Sequence, residues 1–227
     1  MKKILYGLLI PCIFGAVSCK KESNPPPTPA AEKFMTLTAG STWTYRLTDN
    51  PATAPVSTNY TLTATSNDSA ASGRTYKIFT NNSGPNEYYN ITASDYYTFR
   101  KLPDVLGGTS VEVLYLKDNL NVGGTWSQTI PITYSGISLQ LTFNNKIAEK
   151  GIAKIVNGIN YTGVTKVETT LSVTGIPFAY TLDSDIEYYY APKVGQIENH
   201  TAIDLTVTGF PPTNVEQKTE LRSSTIL

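Results

Sequence analysis

Period-two alternation of apolar and polar residues is the feature of this sequence that most restricts its fold. Apolar side chains recur at every second position in run after run, as in Trp43, Tyr45 and Leu47, with polar residues between them. Such alternation is typical of strands with one buried and one solvated face. No window has a persuasive helical period, and the best helical candidate, 144–155, contains Gly151. The pattern therefore predicts an all-β domain of nine to twelve antiparallel strands.

Turn-forming residues separate these runs. Asn157-Gly158 is the strongest signal, because a type I′ hairpin needs positive φ at both central residues. Gly107-Gly108, Gly123-Gly124 and the segment 81–85 mark further turns. A sheet of consecutive strands must curve or close to bury its apolar face. We expect a single antiparallel meander that forms a strongly curved sheet or half-open barrel, with a β-sandwich as the alternative.

The last alternating run, 215–222, has an unusually charged face. That face consists of Glu216, Lys218, Glu220 and Arg222. Charged side chains on an edge strand discourage pairing with another molecule. We therefore expect this strand to be an edge of the sheet.

The first residues carry an export signal. A basic start is followed by an apolar run from Ile4 to Val17, which is shorter than the roughly 20 residues of a membrane-spanning helix. Residues 16–19, Ala-Val-Ser-Cys, resemble the lipobox of bacterial lipoproteins. This resemblance implies cleavage before Cys19, diacylation of its thiol and acylation of its new amino group, which would hold the protein stably to a membrane. The alternative is an ordinary signal peptide, with Cys19 a spare thiol.

A tether is predicted after the cysteine. Residues 20–22 form a charged tract, and four prolines within 25–29 favour the extended polyproline II conformation. The predicted organisation is a signal peptide at 1–18, a lipidated cysteine and proline-rich tether at 19–33, and one β domain at 34–227.

The charged tract resembles those of Bacteroidota lipoproteins, which implies outer-membrane placement, facing either the periplasm or the cell exterior. Asp68-Ser69-Ala70 also fits the short O-glycosylation pattern of that group. Ser69 is therefore a candidate glycosylation site.

Charge composition argues against a nucleic-acid partner. The chain has 18 basic and 18 acidic residues, and removing Lys2 and Lys3 with the signal peptide leaves 16 against 18. Nucleic-acid binding domains are recognised by a basic face.

Three segments share aromatic and glycine residues at the start of strands. They are 40–45, 123–126 and 188–197, which contain Gly-x-x-Trp-x-Tyr, Gly-Gly-x-Trp and Tyr-Tyr-Ala-Pro-x-Val-Gly-x-Ile. These marks resemble a family of uncharacterised exported lipoproteins of the Bacteroidota, for which no reaction is assigned. At fold level the chain also resembles periplasmic lipoprotein carriers built as an unclosed β-barrel. We expect Trp43 and Trp126 to plug the core.

Residues suited to catalysis are scarce. His200 is the only histidine, Cys19 is the only cysteine expected in the mature chain, and no Gly-x-Ser-x-Gly motif is present. Zinc sites usually need several histidine or cysteine ligands. The sequence therefore predicts no catalytic residue and no cofactor.

Asp183, Asp185 and Glu187 are the most suggestive acidic group. Residues at i, i+2 and i+4 of a strand share one face, and their oxygens could bind Ca²⁺. The stretch lacks an EF-hand glycine, and Lys166 and Glu168 on a neighbouring strand offer cross-strand partners. We favour a solvated, partly paired face over a metal site.

Adjacent tyrosines are the remaining candidates for ligand contact. Neighbouring rings in a strand lie on opposite faces, so one ring of each pair can enter the core while the other stays at the surface. The candidate contact residues are Tyr89, Tyr97 and Tyr189, with cross-strand packing as the alternative.

The leading functional hypothesis is a membrane-anchored, non-catalytic binding or interaction module of the cell envelope, whose partner is a glycan or another envelope protein. The second is a carrier or sensor of an apolar ligand in the concave face of the sheet. The third is an envelope hydrolase, which the missing motifs disfavour.

Overall fold

A computed structural model describes residues 33–50, 54–102, 108, 110–134 and 136–227, apart from the side chain of Tyr134. Cys19 and the rest of the predicted leader and tether up to residue 32 lie outside the described residues. Within the described residues there is no helix long and apolar enough to cross a membrane.

Twelve antiparallel strands make up the regular structure of the described residues. They are β1 (Thr42–Asp49), β2 (Val56–Ala71), β3 (Arg74–Asn81), β4 (Glu87–Thr92), β5 (Asp95–Lys101), β6 (Ser110–Lys117), β7 (Thr125–Tyr134), β8 (Ile137–Val156), β9 (Ile159–Thr174), β10 (Tyr180–Ala191), β11 (Gly195–Val207) and β12 (Thr213–Thr225). The predicted all-β class and strand number are confirmed.

The strands form one sheet in the order β6-β5-β4-β3-β2-β1-β12-β11-β10-β9-β8-β7. The sheet curls into a nearly closed barrel with one unsealed seam, so the expected meander is confirmed and the alternative sandwich is not formed. The hairpin at 157–158 is also confirmed, since Asn157 has φ 51° and Gly158 has φ 79°.

The prediction that the last strand is an edge is wrong. β12 lies in the middle of the sheet and pairs with both β1 and β11. Its charged face is explained by partners on those strands, because Arg46 of β1 pairs with Glu220 and Lys218 pairs with Glu198 of β11. Alternating charges across neighbouring strands therefore mimic the charge pattern of an edge.

The seam lies between β6 and β7, the two ends of the sheet order, and side chains of β7 bridge it. The carboxamide of Gln128 accepts a hydrogen bond from Leu114 N at 2.8 Å and donates one to Glu112 O at 2.8 Å. The indole of Trp126 donates to Leu114 O at 2.9 Å. Gln128 thus takes the place of a peptide group in a neighbouring strand, which satisfies backbone groups that an edge would leave unpaired.

Residues 33–38 close one end of the barrel. Phe34 and Met35 are buried, and Met35 forms an isolated bridge with Val194 in the β10–β11 turn. Phe34 N donates to the hydroxyl of Tyr96 in β5 at 3.1 Å. The segment therefore contacts elements on both sides of the barrel. Gly195 has φ 91°, which glycine adopts readily, and this lets the turn approach Met35.

The predicted plugging role of the two tryptophans is confirmed. Trp43 is 1% exposed, packs on Phe79 and donates from its indole to Val194 O at 2.7 Å. Trp126 is also buried, beside the seam. A buried indole whose N–H has an acceptor stabilises a core through area without leaving an unsatisfied donor.

The interior differs between the two halves of the sheet. Strands β7 to β11 contribute a mainly aliphatic core, whose members include Leu139, Leu141, Leu171, Val173, Ile203 and Leu205. Strands β1 to β6 contribute Tyr45, Tyr60, Tyr89 and Tyr115, and these rings border a cavity together with Tyr190 of β10.

Candidate functional site

A cavity of about 290 Å³ lies inside the barrel on the tyrosine-rich side. Its lining residues are Met35, Tyr45, Tyr60, Leu62, Asn81, Pro85, Asn86, Glu87, Tyr89, Thr98, Arg100, Lys101, Tyr115, Tyr190, Gln196, Asn199 and Thr219. Met35 of the closing segment forms part of the cavity wall, while Pro85 and Asn86 in the β3–β4 turn are exposed to solvent. That turn therefore forms the mouth of the cavity.

Five of the seventeen lining residues are tyrosines, and each of their rings contacts at least one other ring of the five. Tyr45 stacks on Tyr60 with ring centroids 5.4 Å apart. Tyr115 meets Tyr89 edge to face at 6.2 Å and Tyr190 in a tilted arrangement at 5.5 Å. Such ring pairs add stabilisation beyond the area they bury, which keeps the wall in one arrangement.

The hydroxyls of these tyrosines are neutral. Burial is the largest influence on the pKa of Tyr45, Tyr60, Tyr89, Tyr115 and Tyr190, and it raises each pKa above the ordinary value of 10.0. A phenol with a raised pKa stays protonated through the physiological range. The wall can therefore offer hydroxyl groups as both donors and acceptors.

Arg100 supplies a positive charge in the cavity wall, which also includes Lys101. It shares a face of β5 with the buried Tyr96 and Thr98 and points into the barrel. Its guanidinium donates to the hydroxyl of Tyr188 at 3.0 Å and lies 5.7 Å from the centroid of that ring. Among the described residues, Arg100 forms no ion pair with a carboxylate.

Glu87 supplies the negative charge. It accepts a hydrogen bond from the hydroxyl of Tyr89 at 2.5 Å. Desolvation is the largest influence on its pKa and raises it above the ordinary value of 4.5, against the opposing effects of Tyr89, the charge of Arg100 and a hydrogen bond from Asn81. Ionising Glu87 inside the cavity therefore has an energetic cost, which a hydrogen-bond donor in the cavity would reduce.

The three tyrosines predicted as contact residues do not lie together. Tyr97 and Tyr189 lie on the outer face, where the Arg74 guanidinium lies 3.8 Å from the Tyr97 ring centroid and Lys154 lies 3.8 Å from that of Tyr189. The prediction of an outward Tyr89 is wrong, because Tyr89 pairs across the sheet with Thr98 and lines the cavity. Ligand contact by these residues stays a prediction.

The acidic group of β10 is partly paired, as its sequence context suggested. Glu187 forms an ion pair with Lys166 at 2.6 Å, while Asp183 and Asp185 are exposed to solvent. The described residues contain no group of three or more histidine, cysteine, aspartate or glutamate side chains that could hold a metal ion. The acidic group is better described as part of a charged outer face.

Two further predicted positions lie away from the cavity. Ser69 is half-buried in β2, next to Asp68, which pairs with Lys77 at 2.5 Å. Glycosylation of Ser69 stays a prediction. His200 lies on the outer face of β11, opposite Glu187 and Lys218 of the neighbouring strands.

A larger groove of about 490 Å³ follows the seam, and it is a weaker candidate. Its walls include Ile130 and Leu139, and the carboxylate among its lining residues is Glu112. Glu112 is already occupied, since it pairs with Arg74 at 2.9 Å and accepts a hydrogen bond from Tyr76. In the interior cavity Arg100 has a tyrosine hydroxyl and no carboxylate as its partner among the described residues, which makes this cavity the better candidate site.

Arg100 and Glu87 are the functional candidates that sequence reasoning missed. A signal was present, because Tyr96, Thr98 and Arg100 alternate on one strand and place a charge on the same face as a large ring. Glu87 stands two residues before Tyr89 and shares its face. Assigning either residue to the interior requires knowing which face of the strand is buried.

Comparison with known proteins gives a likeness of fold. No family model matches the chain, and no curated protein sequence matches it. A solved structure described as a candidate lipoprotein from Parabacteroides distasonis has a TM-score of 0.53 at 12% identity, covering 86% of this chain and 99% of that chain. A candidate exported protein with a YmcC-like fold from Bacteroides fragilis has a TM-score of 0.48 at 9% identity, with the same coverage. The shared architecture rests on the first of these.

Proposed function

We propose that this protein is a lipid-anchored lipoprotein of the bacterial outer membrane, whose barrel binds a small ligand and does not transform it. The anchoring part of the proposal is supported by the lipobox-like residues that end at Cys19 and by the proline-rich tether after them. The fold shared with a candidate lipoprotein of Parabacteroides distasonis agrees with this address.

The observation that carries the binding role is the interior cavity with Arg100 and Glu87 in its wall. Ligand sites are typically concave, largely formed in advance and lined by rings with a few polar groups that fix orientation. A barrel interior that served only stability would be filled by side chains, as it is around the buried Leu139, Leu141 and Leu171. The cavity therefore fits a binding site better than a packing defect.

Binding without catalysis is the simpler reading of the residues in the wall. Acid–base catalysis uses a positioned group with a matched pKa, most often a histidine. His200 faces outward on β11, whereas the cavity faces inward. The cavity wall also lacks a serine among the described residues, so a Ser–His pair has no counterpart there.

A ligand with polar groups fits the cavity better than a purely apolar one. Its wall contains a guanidinium, a carboxyl group and several phenol hydroxyls, and an acyl chain would leave these groups unpaired. Leaving buried polar groups without partners weakens binding. The proposed function is therefore closer to a receptor for a small polar molecule than to a lipid carrier.

Saturation-transfer NMR with two small ring compounds, benzoate and benzamide, tests the binding role. We expect magnetisation transfer to at least one probe in the wild type and its loss in Asn86→Trp, which places a large side chain at the mouth. Val122→Trp is the matched control, because Val122 is exposed in the β6–β7 connection and is not a lining residue. Absence of transfer to both probes, or equal transfer in Asn86→Trp, would contradict the proposal.

Metabolic labelling with an alkyne-bearing fatty acid tests the anchor. We expect the wild-type protein to incorporate the label and to fractionate with membranes, and Cys19→Ala to do neither. Protease treatment of intact cells would then distinguish periplasmic from surface placement.

A further inference from the structure

We propose that the cavity selects a small ring-bearing acid, whose carboxylate binds the guanidinium of Arg100. This inference rests on the proposed function and names the chemical class of its ligand.

Arg100 is positioned to contact a ligand in the cavity. It belongs to the inner face of β5, between the buried Thr98 and the end of the strand, and it contributes to the wall of the 290 Å³ cavity. A neighbouring pocket of about 200 Å³ shares Arg100 with the cavity, together with Pro85 and Asn86 at the mouth. The guanidinium therefore lies next to space that a ligand can enter.

Two of the other three arginines, Arg46 and Arg74, pair with carboxylates, which Arg100 does not do within the described part of the chain. Arg74 donates to both carboxylate oxygens of Glu112, at 2.9 and 3.0 Å, and Arg46 pairs with Glu220. Arg100 has the Tyr188 hydroxyl as its acceptor instead, and it has no carboxylate partner among the described residues. Arg100 is half-buried. A partly desolvated cation without a directly paired carboxylate is unfavourable, and a bound anion would offset this.

Glu87 does not fill that role. It lines the same cavity but forms no ion pair with Arg100, and its carboxyl group accepts the Tyr89 hydroxyl. Arg100 and Glu87 therefore line the same cavity without a direct ion pair, although the charge of Arg100 acts to lower the pKa of Glu87. A carboxylate at Arg100 would match the planar fork of N–H donors that guanidinium offers, and a hydroxyl or N–H group of the ligand could donate to Glu87.

The ring walls determine the rest of the ligand. Tyr45, Tyr60, Tyr115 and Tyr190 present aromatic faces and edges around the cavity. Aromatic faces pack well against planar rings and against the apolar faces of sugars. At about 290 Å³ the cavity is near the lower limit for ligand sites, which favours a ligand of one or two rings.

Comparison of benzoate with benzamide tests this selectivity, because the two probes share a shape and differ in charge. We expect the wild type to bind benzoate roughly tenfold or more tightly than benzamide, since hydrogen bonds between charged groups discriminate by about that factor. Arg100→Gln is expected to abolish the preference. Arg74→Gln is the matched control, since Arg74 lies on the outer face and its loss should leave the preference unchanged.

Near-ultraviolet circular dichroism would establish that Arg100→Gln keeps the wild-type fold. Arg100→Lys is a second variant that keeps the charge without the fork, and it should keep part of the preference. Equal affinity of the wild type for both probes would overturn the acid selectivity while leaving the cavity as a binding site. A benzoate preference that survives in Arg100→Gln would also overturn it. Failure of both probes to bind would overturn the proposed function and this inference together.

Discussion

The tripeptide Glu-Tyr-Tyr occurs twice in the chain, at 87–89 in β4 and at 187–189 in β10, and the two copies face opposite ways. In β4 the glutamate and the second tyrosine point into the barrel and line the cavity. In β10 Glu187 and the second tyrosine, Tyr189, lie on the outer face, whereas the first tyrosine, Tyr188, points inward. Identical local sequence thus supplies a cavity wall in one strand and a surface ion pair in the other.

Both copies contain the same hydrogen bond, from the second tyrosine to the glutamate. The distance is 2.5 Å for Tyr89 and Glu87, and 3.0 Å for Tyr189 and Glu187. The pKa shifts of the two glutamates nevertheless have opposite signs. Desolvation dominates at Glu87 and raises its pKa, whereas at Glu187 hydrogen bonds from Lys166 and Tyr189 outweigh desolvation and lower it.

The comparison separates the influence of local sequence from that of the surrounding barrel. A cation forms a direct ion pair with the outer glutamate, while the cation of the inner cavity, Arg100, forms none with Glu87. The outer tripeptide, whose glutamate has an ion pair, therefore has a structural role. The inner tripeptide, whose glutamate has no ion pair with Arg100, is suited to contact a ligand. If this distinction is correct, equivalent substitutions in the two copies will have unequal effects.

The largest difference is expected between the first tyrosines of the two tripeptides. Tyr188 is 8% exposed, stacks on Tyr190 at 6.1 Å and accepts from Arg100. Tyr188→Ala should reduce the free energy of unfolding by about 3–5 kcal/mol, as for other large buried rings. Tyr88 is half-buried on the outer face, so Tyr88→Ala should reduce the free energy of unfolding by only about 1 kcal/mol. Urea denaturation at equal m-values measures both, and equal losses would contradict the assignment of faces.

A smaller difference is expected on removing the hydroxyls of the second tyrosines. Tyr89→Phe removes one of the hydrogen-bond donors to the desolvated carboxyl group of Glu87 and should reduce stability by about 1.5–3 kcal/mol. Tyr189→Phe should reduce stability by only about 0.5–1 kcal/mol, because Glu187 keeps its ion pair with Lys166. In the wild type, burial and the bond to Glu187 raise the pKa of Tyr189 to about 12. A larger loss in Tyr189→Phe than in Tyr89→Phe would reverse the interpretation.

The sequence predicts the local features of this fold better than the pairing of distant strands. Alternation and turn residues are local properties, so the all-β class, the strand number and the hairpin at 157–158 follow from them. The pairing of β1 with β12 joins residues at opposite ends of the chain, and no local pattern encodes it. The charged face of β12 therefore suggested an edge, although Glu220 has its partner 174 residues away at Arg46.

The cavity was less predictable than the fold for a related reason. Binary patterning assigns charged residues to the solvated face, which places Arg100 and Glu87 outside. The structure places both inside, where the sheet closes around tyrosines that do not fill the interior. Local rules are most often broken at functional sites, so this exception supports the candidate site on physical grounds.

The smallest expected effect concerns the glutamates, and it differs in sign between the copies. Glu187→Gln should reduce stability at neutral pH by about 1 kcal/mol, as for a partly exposed ion pair. Because the folded-state pKa of Glu187 is lowered, its contribution is present above the unfolded value near 4.5 and is lost as the pH falls through the folded pKa. The stability difference between wild type and Glu187→Gln should therefore shrink on acidification.

Glu87→Gln should show the opposite trend. A raised folded-state pKa means that the folded protein holds its proton more tightly, so the ionised Glu87 reduces stability as the pH rises from about 4.5 through the folded pKa. Replacing it with glutamine removes this cost and keeps an acceptor for Tyr89, so the variant should gain stability relative to wild type as the pH increases. Urea denaturation at several pH values between about 3 and 7 measures both variants, because the Glu187 effect changes below the unfolded pKa near 4.5 and the Glu87 effect changes above it. If the stabilities of the two variants relative to wild type changed with pH in the same direction, the two glutamates would have the same electrostatic environment. The distinction between a cavity-lining and a surface tripeptide would then be wrong.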